Sequence, residues 1–236
     1  MFKNVNLDYE QFNKSFEYIK NNKQIIDVLL SGGDPLLLNL DKLEWILYNI
    51  KKISTVKIIR LGTRLPITNP KKINKKLIRI LKKYVQYINI HINHPIELND
   101  ASINSIQLLQ QANIMIGNQS VLLKNVNDSY SVLKELYLKL YELKIRPYYL
   151  YNCDLNIGLS HFRVSLKTGF KLNDQINHDL SGLSKPFFIA DLPFLGKTLI
   201  NSSYVKYLGN DIYEFKNKDG NKFIYNEKLL IKNTGR

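Results

Sequence analysis

The sequence predicts an α/β fold, in which a parallel sheet of the (β/α) barrel type is followed by a small antiparallel β meander. Three observations support this prediction. Over residues 8–151, β-rich segments alternate with helical segments; each strand runs straight into a polar loop; and the last part of the chain alternates apolar and polar residues with a period of two. Such alternation is typical of repeated βα units with right-handed crossovers. A length of 236 residues suits one such domain with an appendage.

Each predicted strand is rich in β-branched residues or leucine, and each predicted helix carries apolar residues on one face. The strands are predicted over residues 25–30, 55–61, 87–92, 114–116 and 146–151. Helices are predicted over residues 8–22, from Asp41 as a cap, over residues 74–83, from Asp100 and after Asp128.

Polar side chains lie at the carboxyl ends of these strands or just after them. They are Asp34, Arg64, His91, Gln119 and Asp154. In a barrel the carboxyl ends of the strands converge on one face, so these residues define one candidate pocket. Simpler roles remain open for each residue taken alone: His91 as a satisfied core histidine, Asp34 as a turn former and Asp154 as a helix cap.

Residues 154–185 show weak periodicity and several glycines, which predicts a long functional loop or lid. A last buried strand is predicted over residues 187–190, ending in a segment that runs from Asp191 to Lys197. The meander is predicted over residues 204–207, 212–215 and 222–225. We therefore expect a barrel domain over residues 1–200 and a meander over residues 201–236.

The composition restricts the class of protein. The net charge of +14 comes from lysines that are spread along the chain beside abundant Asn and Ile, as an AT-rich genome would produce. The densest cluster of lysines, at residues 71–76, is predicted to be the solvent-exposed start of a helix. Nucleic-acid binding would rest on charge alone, so we expect no nucleic-acid partner. No stretch approaches the run of about 20 apolar residues that spans a bilayer, and the first residues form no secretory signal. We expect no membrane partner and a cytoplasmic protein.

Cys153 is the one cysteine of the sequence. It excludes an intramolecular disulfide, a zinc cluster built on cysteines and an iron–sulfur cluster held by this chain. We therefore assign no metal ligand.

Several longer strings resemble, in order, the lysine 2,3-aminomutase family of radical S-adenosylmethionine (SAM) enzymes over nearly the whole chain. They are VLLSGGDPLL at residues 28–37, LGTR at 61–64, HINHP at 91–95, GNQSVLLKNVND at 117–128, RPYYLYNCDL at 146–155, HFR at 161–163, and Asp191 followed by Gly196 and Lys197. The resemblance implies an incomplete (β/α) barrel that lacks its first strand, and a protein that works with S-adenosylmethionine, a [4Fe–4S] cluster and pyridoxal phosphate.

The resemblance also assigns roles to individual residues. Ser31, Gly32, Gly33 and Asp34, with His91 and Gln119, would line the S-adenosylmethionine side. Lys197 would be the catalytic lysine that forms an imine with pyridoxal phosphate, and Tyr151 would lie near that cofactor. Asp154 and Asp191 would hold the far ammonium group of the substrate.

These residue types suit the implied chemistry. A lysine amine condenses with an aldehyde and is displaced by the substrate amine, and the resulting imine allows nitrogen to pass from C2 to C3. Two carboxylates around an ammonium group discriminate against neutral or acidic side chains. We therefore expect the substrate to be lysine, either free or within a protein.

Two features depart from the family pattern. The family carries its Cys-x-x-x-Cys-x-x-Cys motif upstream of the segment that matches Phe2, and bulky residues stand at 193–195 where the family has glycines. One reading is the C-terminal part of an aminomutase whose cluster comes from a separate N-terminal polypeptide, so that this chain alone is inactive. The other is a degenerate, non-catalytic barrel that retains pyridoxal phosphate or partner binding. An open sheet edge would also suit a homo-oligomer.

Overall fold

The computed structural model describes residues 7–156 and 158–228. The helices are α1 (Tyr9–Asn21), α2 (Leu40–Lys51), α3 (Leu65–Thr68), α4 (Lys75–Tyr84), α5 (Asp100–Gln111), α6 (Tyr130–Glu142) and α7 (Leu166–Asp179). The larger sheet contains β1 (Asp27–Leu30), β2 (Ile58–Thr63), β3 (Tyr87–Ile90), β4 (Met115–Leu122), β5 (Arg146–Asn152), β6 (Phe187–Leu192) and β7 (Gly196–Leu199). The smaller sheet contains β8 (Val205–Gly209), β9 (Ile212–Lys216) and β10 (Lys222–Asn226).

The larger sheet follows the chain order β1 to β7. The pairs β1–β2, β2–β3 and β5–β6 are parallel, and β6–β7 is antiparallel. In the smaller sheet, β9 lies between β8 and β10 and is antiparallel to both. The predicted α/β class and the C-terminal meander are therefore confirmed.

The described residues form two units, one of residues 7–91 and 99–117 and the other of residues 92–98 and 118–228 without residue 157. In the first unit the buried side chains of α2 and α4 pack together, and in the strands Ile59, Leu61, Ile88 and Ile90 are buried. In the second unit the buried side chains include Leu133, Leu136, Leu140 of α6 and Leu150, Phe188 of the sheet. The predicted domain boundary at residue 200 stays a prediction.

The prediction of one long loop over residues 154–185 is wrong, because this segment contains the helix α7. Ser165 caps α7, and its buried face includes Leu172 and Ile176. The glycine that weakens the helical pattern, Gly169, has a packing reason: a Cβ there would lie 2.6 Å from the ring of Phe188. Gly169 thus lowers the helix propensity of α7 but allows the helix to pack closely against β6.

Three further boundaries differ from the predictions. The strand predicted over residues 114–116 extends through Gly117 to Leu122 as β4, so Gln119 lies within a strand rather than in the loop after it. Asn39, not Asp41, caps α2. The segment after Asp191 forms a hairpin with an additional strand, β7, rather than an irregular loop.

No helix among residues 7–156 and 158–228 is both long and apolar enough to cross a bilayer. The cytoplasmic location and the oligomeric state stay predictions.

Acid is expected to loosen the contact between α6 and α7 at Asp179. Hydrogen bonds from His178 and then Tyr130 lower the pKa of Asp179 to about 2, from 3.8 in an unperturbed side chain. Because the folded-state pKa is depressed, the ionised Asp179 stabilises the fold above about pH 4, and this contribution is lost as the pH falls through about 2. Urea unfolding from pH 5 to pH 2 should show a smaller acid-induced loss of stability in Asp179→Asn than in the wild type. An equal loss in both proteins would contradict this assignment.

Candidate active site

One face of the strands β1, β2 and β3 in the first unit carries the buried Ile59, Leu61 and Ile88, and polar side chains lie on the other face. This second face carries the ion pair of Asp27 with Arg60, whose Oδ1 and Nε atoms are 2.8 Å apart. Leu30 pairs with Leu61 and Gly62 pairs with Asn89 in the parallel registers, so Ser31, Gly62 and Asn89 lie in one row across the three strands. Directly paired residues of a parallel sheet point to the same face. This row lies one step beyond the Asp27–Arg60 pair, toward the carboxyl ends of the strands.

The glycine loop after β1 leaves open space beside its backbone. Gly32 and Gly33 have φ angles of +82° and +53°, a conformation that favours glycine, and apart from each glycine's chain neighbours no heavy atom of the described residues lies within 4 Å of where a Cβ would stand. The positive φ angles account for the two glycines, and the open space lets a ligand approach the main chain closely.

Asp34 ties the ends of β1 and β2 together. Both of its carboxylate oxygens accept from the Thr63 hydroxyl at 2.7 Å, Oδ2 accepts from the Arg64 main-chain N–H at 2.8 Å, and Oδ1 accepts from Leu36 N–H at 3.0 Å. These contacts fit the turn-forming role for Asp34. Asp34 is therefore a positioning residue that holds the glycine loop.

Replacing Asp34 by alanine is expected to lower the free energy of unfolding by roughly 2–3 kcal/mol, because three donors, one of them a buried hydroxyl, lose a charged acceptor. Asp41→Ala is the matched control, since Asp41 lies exposed in the first turn of α2 and its carboxylate caps no helix; a change of no more than about 0.5 kcal/mol is expected there. Chemical denaturation measures both, and equal effects would exclude the proposed role of Asp34.

The remaining two residues assigned to the S-adenosylmethionine side fall in different units. His91 directly follows β3 in the first unit and is partly exposed. Gln119 belongs to the second unit, where it alternates along β4 with the buried Asn118 and Ser120 and so occupies the opposite face.

In the second unit, β5, β6 and β7 bring three of the predicted residues together. Tyr151 pairs with Ile189, and Asp191 lies directly opposite Lys197 in the β6–β7 hairpin. Lys197 Nζ lies 3.2 Å from Asp191 Oδ2 and 6.0 Å from the centre of the Tyr151 ring. The lysine side chain is 49% exposed, so its amine is accessible to a reagent from solvent.

The loop carrying Asp154 is held near this group by Arg163. Arg163 donates from Nε to the Asp154 carbonyl at 3.2 Å and from Nη2 to the Asn156 carbonyl at 3.0 Å. Burial, followed by the negative charge of Asp191, raises the pKa of Asp154, and the positive charges of Lys197 and Arg163 oppose that rise. The two carboxylates therefore repel each other, and a cation placed between them would relieve this repulsion.

Tyr151 remains a neutral phenol in this environment. Burial raises its pKa, and the neighbouring Tyr149 and the carboxylate of Asp191 raise it further. Tyr151 thus offers the Lys197 amine an aromatic face without adding another negative charge.

These residues fit two of the three groups implied by the family and do not fit the third. An accessible amine beside an aromatic ring suits an aldehyde on a planar cofactor, as in pyridoxal phosphate, and the open glycine loop suits S-adenosylmethionine. Cys153 is buried, burial raises its thiol pKa, and one thiol cannot bind an iron–sulfur cluster. Within the described part of the chain, no group of three or more His, Cys, Asp or Glu side chains is placed to hold a metal ion.

Some of the residues that shape these sites were not among the sequence predictions. The LGTR string contains Gly62 and Thr63 but assigns them no role, and the segment around Asn89 predicts only a strand. The main-chain carbonyls that accept hydrogen bonds from Arg163 cannot be predicted from the sequence. The HFR string at residues 161–163 was the one available signal for Arg163.

Comparison with solved structures defines the class of this fold. Streptococcus suis SuiB bound to S-adenosylmethionine matches with a TM-score of 0.58 at 17% identity, covering 82% of this chain and 46% of SuiB. A radical SAM methyltransferase from Sphaerobacter thermophilus matches with a TM-score of 0.51 at 12% identity, covering 78% of this chain and 57% of that chain. The fold is that of the radical SAM enzymes.

Proteins of similar sequence indicate the family to which the chain belongs within this class. The L-lysine 2,3-aminomutase of Clostridium subterminale is 40% identical over 222 residues, covering 93% of this chain and 53% of the relative. That of Methanococcus maripaludis is 42% identical over 220 residues, covering 92% and 51%, and the glutamate 2,3-aminomutase of Clostridioides difficile is 36% identical over 209 residues, covering 88% and 50%. No family model matches the chain. The chain belongs to the lysine 2,3-aminomutase family, and it spans about half the length of the curated relatives it matches.

Proposed function

We propose that this chain is the C-terminal portion of an L-lysine 2,3-aminomutase, which moves the amino group of lysine from C2 to C3. The observation that carries this proposal is the placement of Lys197 opposite Asp191 in one hairpin, beside Tyr151 and within the electrostatic reach of Asp154. This group combines a nucleophilic amine, an aromatic face and two carboxylates.

Lys197 is the residue proposed to hold pyridoxal phosphate. Its amine is accessible, and Asp191 Oδ2, at 3.2 Å from Nζ, is placed to accept a proton when the amine becomes a nucleophile. Tyr151 offers a flat neutral surface for the ring of the cofactor. When bound, pyridoxal phosphate supplies the conjugated system through which an amino group migrates.

Asp154 and Asp191 are proposed to select the substrate. Their mutual repulsion is relieved by an ammonium group such as the side-chain end of lysine, whereas the carboxylate of glutamate would add a third negative charge. An ammonium group that lies between the two carboxylates therefore favours lysine over glutamate.

The glycine loop at Ser31–Asp34 is proposed to contact S-adenosylmethionine, with His91 of the same unit as a further contact, whereas the role of Gln119 in the second unit stays a prediction of the family resemblance. Asp34 holds the loop through Thr63 and Arg64, and the left-handed Gly32 and Gly33 leave the main chain open. Since Cys153 cannot bind the cluster that activates S-adenosylmethionine, we propose that a separate cluster-bearing segment completes the enzyme.

A titration with two amino acids tests the substrate class. The purified chain is loaded with pyridoxal phosphate, and its visible absorbance is followed as lysine or glutamate is added. Lysine should displace the Lys197 bond and change the spectrum at a concentration at least tenfold lower than glutamate, because only lysine pairs with the two carboxylates. A preference for glutamate, or none, would refute the substrate assignment.

A further inference from the structure

The carboxamide of Asn89 has a buried nitrogen that lacks a hydrogen-bond partner within the described residues. Asn89 lies in β3 and is 7% exposed, and its Nδ2 atom is one of four buried side-chain polar atoms without a partner there. The other three are Thr55 Oγ1, Tyr137 Oη and Asn152 Oδ1. A buried donor without an acceptor destabilises a fold, so the unpaired Nδ2–H of a strand asparagine requires an explanation.

Asn89 differs from the other three in its place beside the glycine loop. Gly62 pairs with Asn89 on one side and lies next to Ser31 on the other, where a Cβ on Gly62 would stand 3.9 Å from Ser31 Cβ. The Asn89 side chain therefore shares a face with Ser31, and the two are separated by the gap left by the missing side chain of Gly62. A glycine inside a strand is typical of close approach by a ligand or by another main chain.

The chemistry of this row is that of a small-molecule contact. The open space beside Gly32 and Gly33 gives access to the main chain, Gly62 provides room on the strand face, and Asn89 contributes a preorganised donor already buried at the edge of that room. The donor has lost its water, so pairing it with a ligand acceptor regains what burial cost.

We propose that Asn89 is a binding residue for the small molecule at the glycine loop, and that its Nδ2–H donates a hydrogen bond to an oxygen or nitrogen acceptor of that ligand. This inference rests on the proposed function, in which the ligand is S-adenosylmethionine. Asn89 thereby discriminates ligands that present an acceptor at this point from those that do not.

The test compares two buried strand asparagines. Asn118 is the matched control: it is fully buried, accepts from Ile92 N–H at 2.9 Å, and donates to the Ile92 carbonyl at 3.1 Å and to Ser120 Oγ at 2.9 Å. Thermal unfolding should show that Asn89→Leu keeps or raises the Tm, because it removes an unpaired donor, whereas Asn118→Leu lowers the Tm by several degrees.

Calorimetric titration of the full chain with S-adenosylmethionine gives the binding readout. Asn89→Leu should weaken the affinity about tenfold, which corresponds to one lost hydrogen bond of about 1.4 kcal/mol. Asn89→Ala, which leaves more space, should weaken it similarly and thereby separates loss of the donor from a steric clash.

Three results would overturn the inference. If the wild type binds and both Asn89 variants bind equally well, Asn89 makes no contact and the proposed function stands. If Asn89→Leu lowers the Tm as much as Asn118→Leu, the amide serves the fold rather than a ligand. If the wild type does not bind S-adenosylmethionine, the cofactor assignment of the proposed function fails and the inference fails with it.

Discussion

Substituting Lys197 by alanine is expected to abolish the covalent attachment of pyridoxal phosphate to this chain. With the cofactor added in modest excess, the wild type should develop a visible band that borohydride removes, leaving the cofactor mass on the peptide that contains Lys197. Lys197→Ala should show no such band, because the amine in front of Asp191 and beside Tyr151 is gone.

Lys222→Ala is the control for this experiment. Lys222 also lies in a strand and pairs with a carboxylate, Glu214, at 3.1 Å, and its side-chain exposure is similar to that of Lys197. Its removal should leave the band intact. Labelling spread over many lysines, or persisting in Lys197→Ala, would rule out the proposed role of Lys197.

Removing either carboxylate of the substrate pair is expected to weaken lysine binding strongly. Asp191→Asn and Asp154→Asn should each raise the concentration of lysine needed to displace the Lys197 bond by roughly 10- to 100-fold, since a charge-assisted hydrogen bond to an ammonium group is lost. The pKa of Asp154 should also fall in Asp191→Asn, because the charge that raises it has been removed.

Norleucine is the control ligand for the predicted loss of lysine binding, and the pH dependence of lysine binding gives a further test. Norleucine lacks the side-chain ammonium group, so its displacement of the Lys197 bond should be unchanged in Asp154→Asn, whose carboxylate makes no contact with Lys197 in the proposed proton transfer. In the wild type the raised pKa of Asp154 predicts that lysine binding weakens on acidification at a higher pH than for an ordinary aspartate. Equal losses for lysine and norleucine would indicate general disruption rather than recognition of the ammonium group.

The alternation of strands and helices was predictable because each strand carries an apolar run long enough to identify it. The helix α7 was not, because Gly169 interrupts its pattern, and the reason for that glycine is the ring of Phe188, which is far away in sequence. The sequence predicts a loop at Gln119 because Gly117 follows the short apolar segment 114–116, whereas the strand β4 continues through Gly117 to Leu122.

In the candidate site, too, some features could be predicted from the sequence and others could not. The residues Lys197 and Asp191 follow from the family strings, but their position opposite each other depends on a hairpin whose second strand, β7, has only four residues. At its tip, Phe194 adopts a φ of +63° and is 98% exposed, an arrangement that the bulky sequence at residues 193–195 did not suggest.

Sequence patterns cannot predict that the side-chain amide of Asn89 lacks a hydrogen-bond partner. An asparagine in a strand predicts only that one face is polar, whereas the absence of a partner for Nδ2 depends on the neighbouring strands and on Gly62. Unsatisfied groups of this kind are visible only when every nearby donor and acceptor has a position.

Migration of the amino group itself is the most direct measurement of the proposed function. The chain is combined anaerobically with a cluster-bearing N-terminal segment of an aminomutase, S-adenosylmethionine, pyridoxal phosphate, a reductant and lysine labelled with ¹⁵N at the 2-amino group. The proposal predicts ¹⁵N on C3 of the product, formed only when both polypeptides are present and absent with Lys197→Ala. A mixture that attaches pyridoxal phosphate to Lys197 and binds S-adenosylmethionine, yet leaves all the label on C2, would contradict it.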